Sequence, residues 1–187
     1  MEDSSCLKRA SLTKGEPLQL AFRDVTYTVK LKRPAKDGSN TKTVLRDLSG
    51  VCHPGKVVAI MGPSGAGKTS LLDVLAGRTI ASGQLALGPK LQACATDIQR
   101  RAAYVQQDDA IMASQTVREA LRMAADLTLP DGTAKAERAE LTEQLITRFQ
   151  LKGCAEALVG NPVGRLKGIS GGERKRLAVA IEGDRRR

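Results

Sequence analysis

Residues 62–69 read Gly62-Pro63-Ser64-Gly65-Ala66-Gly67-Lys68-Thr69. The wholly apolar run Val57–Met61 precedes them. A stretch with Leu71, Leu72, Val74 and Leu75 near one helical face follows, with Gly77 as its stop. GxxxxGK[ST] between a strand and a helix is a phosphate-cradling loop. Gly65 and Gly67 let the backbone curl so that successive N–H groups point inward, and the helix N-terminus adds its positive dipole end. Lys68 is placed to reach the β- and γ-phosphates of a nucleotide, and the Thr69 hydroxyl to help hold Mg²⁺. The blander reading is a glycine-rich turn carrying an exposed lysine.

The flanking pattern sets the fold class. Leu18–Val29 alternates with period two and reads as a strand, Lys30–Lys42 as a basic hairpin loop, and Thr43–Leu48 as the returning strand. Pro54-Gly55 is a turn, and Val57–Met61 suits a strand buried on both faces. Gln84–Leu87 and Ala102–Val105 are further candidate strands. Thr116-x-x-Glu119 is a capping box opening a helix to about Leu127. Pro130-Asp131-Gly132 breaks the chain before a second helix over Thr133–Phe149. Strand–helix alternation after residue 57 points to an α/β class with a parallel sheet.

Composition narrows the function. The net charge is +10, with both ends basic and residues 57–164 balanced, which suits an anionic partner or simply a solvated surface. Aromatics are 2% of residues and Trp is absent, which argues against a stacking platform for single-stranded nucleic acid. No apolar run approaches the ~20 residues of a spanning helix. Cys6, Cys52, Cys94 and Cys154 show neither a zinc pattern nor a compact disulfide framework, so reduced thiols are expected. His53 reads as a loop histidine.

A second element appears at Gly168-Ile169-Ser170-Gly171-Gly172-Glu173-Arg174-Lys175-Arg176. Locally, Ser170 and Glu173 form a capping box with two glycines in the first turn. That is either a second anion site or a plain cap on a solvated basic helix. ISGGERKR resembles the signature motif of ABC-transporter ATPases, in the form used by the G subfamily (white and pleiotropic-drug-resistance type). Tyr104-Val105-Gln106-Gln107-Asp108-Asp109 resembles their Q-loop, with Gln107 as the glutamine. Thr116-Val117-Arg118-Glu119 and Leu71-Leu72-Asp73-Val74-Leu75-Ala76-Gly77-Arg78 resemble the stretches after the Q-loop and after the phosphate loop.

The resemblance implies a P-loop NTPase of the ABC type, with N-terminal antiparallel strands and a helical subdomain over about 108–176. Residues 1–17 would be a flexible lead-in, and 18–187 a partial nucleotide-binding domain. ATP would lie on Gly62, Pro63, Ser64, Gly65, Ala66, Gly67, Lys68, Thr69 and Ser70. Ser170, Gly171, Gly172 and Glu173 would cover the ATP of a second nucleotide-binding domain, identical or different. Gln107 would serve Mg²⁺ or the attacking water. Hydrolysis would drive export or flipping of lipids, sterols or hydrophobic compounds through a membrane domain, at the cytoplasmic face. No nucleic-acid partner is implied.

The family's next element is an apolar strand ending in Asp-Glu. The 187-residue sequence ends Glu182-Gly183-Asp184-Arg185-Arg186-Arg187 without it, so the C-terminal part of the core is expected to be missing. Hydrolysis by this polypeptide alone is expected to be negligible. The alternative is a non-hydrolytic module that binds nucleotide and regulates a full-length partner. The family's adenine-stacking aromatic would fall near Val29, and the nearest aromatic, Tyr27, lies two residues earlier.

Overall fold

A computed structural model describes residues 18–34, 38–88, 93–107, 110–161 and 166–184. The chain divides into two compact units, residues 1–102 and 103–187.

In the first unit, β1 (Leu20–Lys30), β2 (Thr41–Cys52) and β3 (Ser82–Leu87) form one sheet in the order β2-β1-β3. Both neighbours run antiparallel to β1. The hairpin closes with the Leu31 amide donating to the Asn40 carbonyl at 2.8 Å. The β1–β2 register slips on either side of Val25, where Asp24 and Asp47 take left-handed φ values of 52° and 48°. Short polar side chains tolerate that region best. Hydroxyls from the opposite strand hold these bulges. The Asp24 amide donates to Ser49 Oγ at 2.9 Å, and the Asp47 amide to Thr26 Oγ1 at 3.0 Å. Helix α1 (Lys68–Leu75) packs Leu71, Val74 and Leu75 with Val25 and Leu45 of the hairpin. Gly77 ends it: its φ is 70°, its amide donates to Val74, and a Cβ would lie 2.6 Å from the Ala95 carbonyl. The short α2 (Ala95–Gln99) is tied there by Gln99 Nε2, which donates to the Gly77 carbonyl at 2.6 Å.

The second unit is helical among its described residues: α3 (Val117–Thr128), α4 (Lys135–Arg148) and α5 (Gly171–Asp184). Val117, Leu121, Leu151, Val159 and Leu177 are among its most deeply buried residues. The Thr116–Glu119 box forms as expected. The Thr116 amide donates to Glu119 Oε2 at 2.8 Å, and the Glu119 amide to Thr116 Oγ1 at 3.2 Å. Arg118 bridges Glu143 of α4 and Glu156. Buried Thr142 gives its hydroxyl to the Arg138 carbonyl at 2.9 Å, so burial leaves that hydroxyl partnered.

Three expectations change. Val57–Met61 is not a strand; Val57 is 99% and Met61 88% exposed, and only Ile60 packs against the sheet–α1 cluster. Ala102–Val105 carries no regular secondary structure and pairs as a strand with none of the described residues. The described sheet is antiparallel rather than parallel. The cause is shared. An apolar run becomes a strand only where a neighbour takes up its N–H and C=O groups, and the described residues supply no such neighbour.

Removing the cap with Thr116→Ala should lower stability by about 1 kcal/mol. Leu121→Ala, in the centre of the helical cluster, should lower it by about 2–5 kcal/mol. Thermal melts of both variants, followed by circular dichroism at 222 nm, check the order.

Candidate nucleotide site

The loop expected to cradle phosphate belongs to the first unit. Gly67 is the residue before α1, with φ 87°. A Cβ there would meet Leu45 Cδ2 at 3.0 Å and the Val44 carbonyl at 3.1 Å. Position 67 therefore needs glycine for its backbone angle and for its packing on β2. The choice has a second effect. Gly67 has no side chain to cap α1, and the first turn contains no acidic residue. The opening amides at Lys68, Thr69 and Ser70 thus meet a helix start that no side chain closes, with the positive end of its dipole outward.

Lys68 stands beside that opening. Its ammonium donates to the carbonyls of Gly62 at 2.9 Å and Pro63 at 2.6 Å. The loop is closed by the Ala66 amide donating to Pro63 at 3.3 Å. Gly62, Pro63, Ser64, Gly65, Ala66 and Thr69 are exposed, and Gly67, Lys68 and Ser70 half-buried. Neutral carbonyls hold the cation here, and an anion would bind it more strongly. Among the described residues no cluster of three or more His, Cys, Asp and Glu could hold a metal ion. The exposed Thr69 hydroxyl fits an ion that takes most of its oxygens from phosphates and water, as Mg²⁺ does.

Ser170–Glu173 and Gln107 belong to the second unit. Here the helix start is closed. Ser170 donates both its amide, at 2.8 Å, and its hydroxyl, at 2.7 Å, to Glu173 Oε2. The Glu173 amide returns a bond to Ser170 Oγ at 3.3 Å. Ser170's hydroxyl and then its amide hold the Glu173 carboxyl below its ordinary range. Burial first, then the Glu173 charge, pushes the neighbouring Cys154 thiol up. Gly171 and Gly172 are exposed. Asp108 and Asp109 lie outside the described residues.

The approach to this start is tighter than its sequence suggests. A Cβ on Gly168 would overlap the Val159 carbonyl, and one on Gly160 would lie 2.5 Å from Gly168. The Ile169 amide donates to Leu158 at 3.1 Å. The three cations that follow are not merely solvated, as the plain-cap reading of the basic helix had them. Arg174 donates to the carbonyls of Val159 and Gly160, both at 2.6 Å. Lys175 donates to those of Gln106 at 3.1 Å and Gln107 at 2.5 Å. Arg176 donates to that of Phe149 at 3.1 Å. Successive helical residues point 100° apart, so three adjacent cations fan out to three segments. Sequence reasoning missed Gly160 and the separate work of Arg174, Lys175 and Arg176. A run of charge gives no sign of which carbonyls it will meet.

A loop built on glycine before an uncapped helix, and a glycine-rich helix start elsewhere in the chain, are features of one family. The ABC transporter family model matches residues 45–182, and the chain belongs to that family. Its fold is the P-loop ATPase domain of those transporters. It is 38% identical over 169 residues to ABC transporter G family member 7 of Arabidopsis thaliana, covering 89% of this chain and 22% of that protein. It is 36% identical over 168 residues to G family member 1 of Dictyostelium discoideum, covering 88% of this chain and 21% of that one. Against G family member 1 of Petunia hybrida the identity is 39% over 167 residues, 87% of this chain and 25% of that one. The chain thus spans about a fifth to a quarter of the length of these relatives. No described helix is long and apolar enough to cross a membrane.

The Ser170–Glu173 contact has a pH signature. The lowered Glu173 carboxyl contributes stability that is whole above the ordinary glutamate range and is lost as acid protonates it through its folded value. Ser170→Ala should move the Glu173 midpoint up toward the ordinary range. A carbon-13 NMR titration of the side-chain carboxyl reads both midpoints.

Proposed function

We propose that this chain is the ATP-binding part of a G-type ABC transporter. In this reading ATP lies on Gly62, Pro63, Ser64, Gly65, Ala66, Gly67, Lys68, Thr69 and Ser70. The amides opening α1 take the phosphate oxygens, and Lys68 leaves the Gly62 and Pro63 carbonyls for the β- and γ-phosphates. Thr69 and Gln107 would hold Mg²⁺, which when bound neutralises charge on the β- and γ-oxygens. Ser170, Gly171, Gly172 and Glu173 cover the nucleotide of a second such domain. To do so, Ser170 must exchange Glu173 for a phosphate oxygen. In the complete transporter, water attacks the γ-phosphate in line, with Gln107 orienting it. The work done is export or flipping of a lipid, sterol or hydrophobic compound, at the cytoplasmic face of a membrane.

The observation that carries the reading is the pairing of an uncapped α1 with a lysine held, among the described residues, only by the neutral carbonyls beside it. Both groups are poised for anionic oxygen. Equilibrium binding of labelled ATP with Mg²⁺, to wild type and Lys68→Ala, is the test. The expected result is saturable binding that weakens about tenfold or more in the variant, since a bond to a charged group is worth about 1.5–3 kcal/mol. Wild-type chain that is folded by circular dichroism and ignores millimolar ATP would overturn the reading.

A further inference from the structure

The Lys175 contact reaches beyond the family's motif roles. Residues 102–106 carry no regular secondary structure and belong to no described sheet, so no described ladder takes up their carbonyls. At Gln106 and Gln107 the place of the ladder is taken by one ammonium. Lys175 Nζ donates to both oxygens, at 3.1 and 2.5 Å, from the first turns of α5. The helix is itself fixed on either side of Lys175, by Arg174 on Val159 and Gly160 and by Arg176 on Phe149. Lys175 therefore joins a loop without secondary structure to a helix held at three other main-chain oxygens. It is five residues from Ser170, the hydroxyl bonded to Glu173.

We propose that Lys175 is a positioning residue that sets the backbone at Gln106–Gln107 from the start of α5. A shift of the Ser170–Glu173 turn, such as the release of Ser170 from Glu173, is thereby carried to Gln107. On the nucleotide reading above, the Gln107 loop of a subunit senses whether that subunit's α5 start is engaged by its partner's ATP. The link runs through main-chain oxygens, so it is independent of the side chains at 106 and 107. Arginine at 175 keeps the charge and the donors, whereas methionine keeps the length alone.

Backbone nitrogen-15 relaxation on the full 187-residue chain, without nucleotide, tests the tether. In wild type the amides of Gln106 and Gln107 should show order parameters near the rigid value of about 0.85. In Lys175→Met they should fall toward about 0.6 or below, with α3 and α4 unchanged, and Lys175→Arg should restore most of the loss. Equal mobility in wild type and Lys175→Met, or no rescue by arginine, would overturn the proposal. If Lys175→Met fails to fold, the wild-type protein still decides. The Lys175 ammonium should give a resolved nitrogen-15 signal with slowed proton exchange, and a freely exchanging ammonium refutes the tether. A second arm compares ATP binding with Mg²⁺ and with chelator. The advantage given by Mg²⁺ should shrink several-fold in Lys175→Met and return in Lys175→Arg. An unchanged advantage sinks the coupling to Gln107. Absence of ATP binding by folded wild type sinks the nucleotide reading instead, and the order parameters judge the tether on their own.

Discussion

The first amides of α1 have no capping side chain, and that depends on Gly67. Its φ of 87° and the closeness of Val44 and Leu45 leave no room for a Ser, Thr, Asp or Asn that would close the helix. Capping residues ordinarily stabilise a helix by satisfying those amides internally. Here that stabilisation is forgone, and the burial of Leu71, Val74 and Leu75 against Val25 and Leu45 holds the helix instead. At the β1–β2 bulges, Ser49 and Thr26 hydroxyls take up the amides of Asp24 and Asp47.

Helix α5 handles the same problem in the opposite way. Its glycines are exposed, but Glu173 folds back onto Ser170 and closes the start. An anion arriving at α1 meets unoccupied amides and a lysine, whereas one arriving at α5 must first displace a carboxylate. The second exchange has a built-in threshold. Charge-assisted bonds to Glu173 must be replaced by bonds to something at least as negative. The close Gly160–Gly168 approach and three cations on main-chain oxygens join this start to the segments around it.

Basic residues close to a signature-like motif invite a reading in terms of surface charge and anionic partners. The structure gives Arg174, Lys175 and Arg176 internal work: each satisfies carbonyls that no helix or sheet reaches. Part of the chain's positive charge is therefore architectural. Lys175 and Arg176 remain exposed although their tips donate to main-chain oxygens.

Periodicity and local chemistry already settled a good deal. The hairpin strands, α1 with its glycine stop, the Thr116–Glu119 and Ser170–Glu173 boxes and the Pro130–Gly132 break all rest on contacts within a few residues or on simple alternation. The motifs that mark an ABC transporter ATPase are equally local, because a phosphate loop is a property of consecutive amides. Val57–Met61 and Ala102–Val105 were misread for the complementary reason. A strand is a relation between two segments, and a sequence displays only one of them at a time. The bulges, the Gly160–Gly168 approach and the separate targets of three adjacent cations came from tertiary structure alone. Each depends on which distant carbonyl lies within hydrogen-bond reach, a distance that no spacing along the chain encodes.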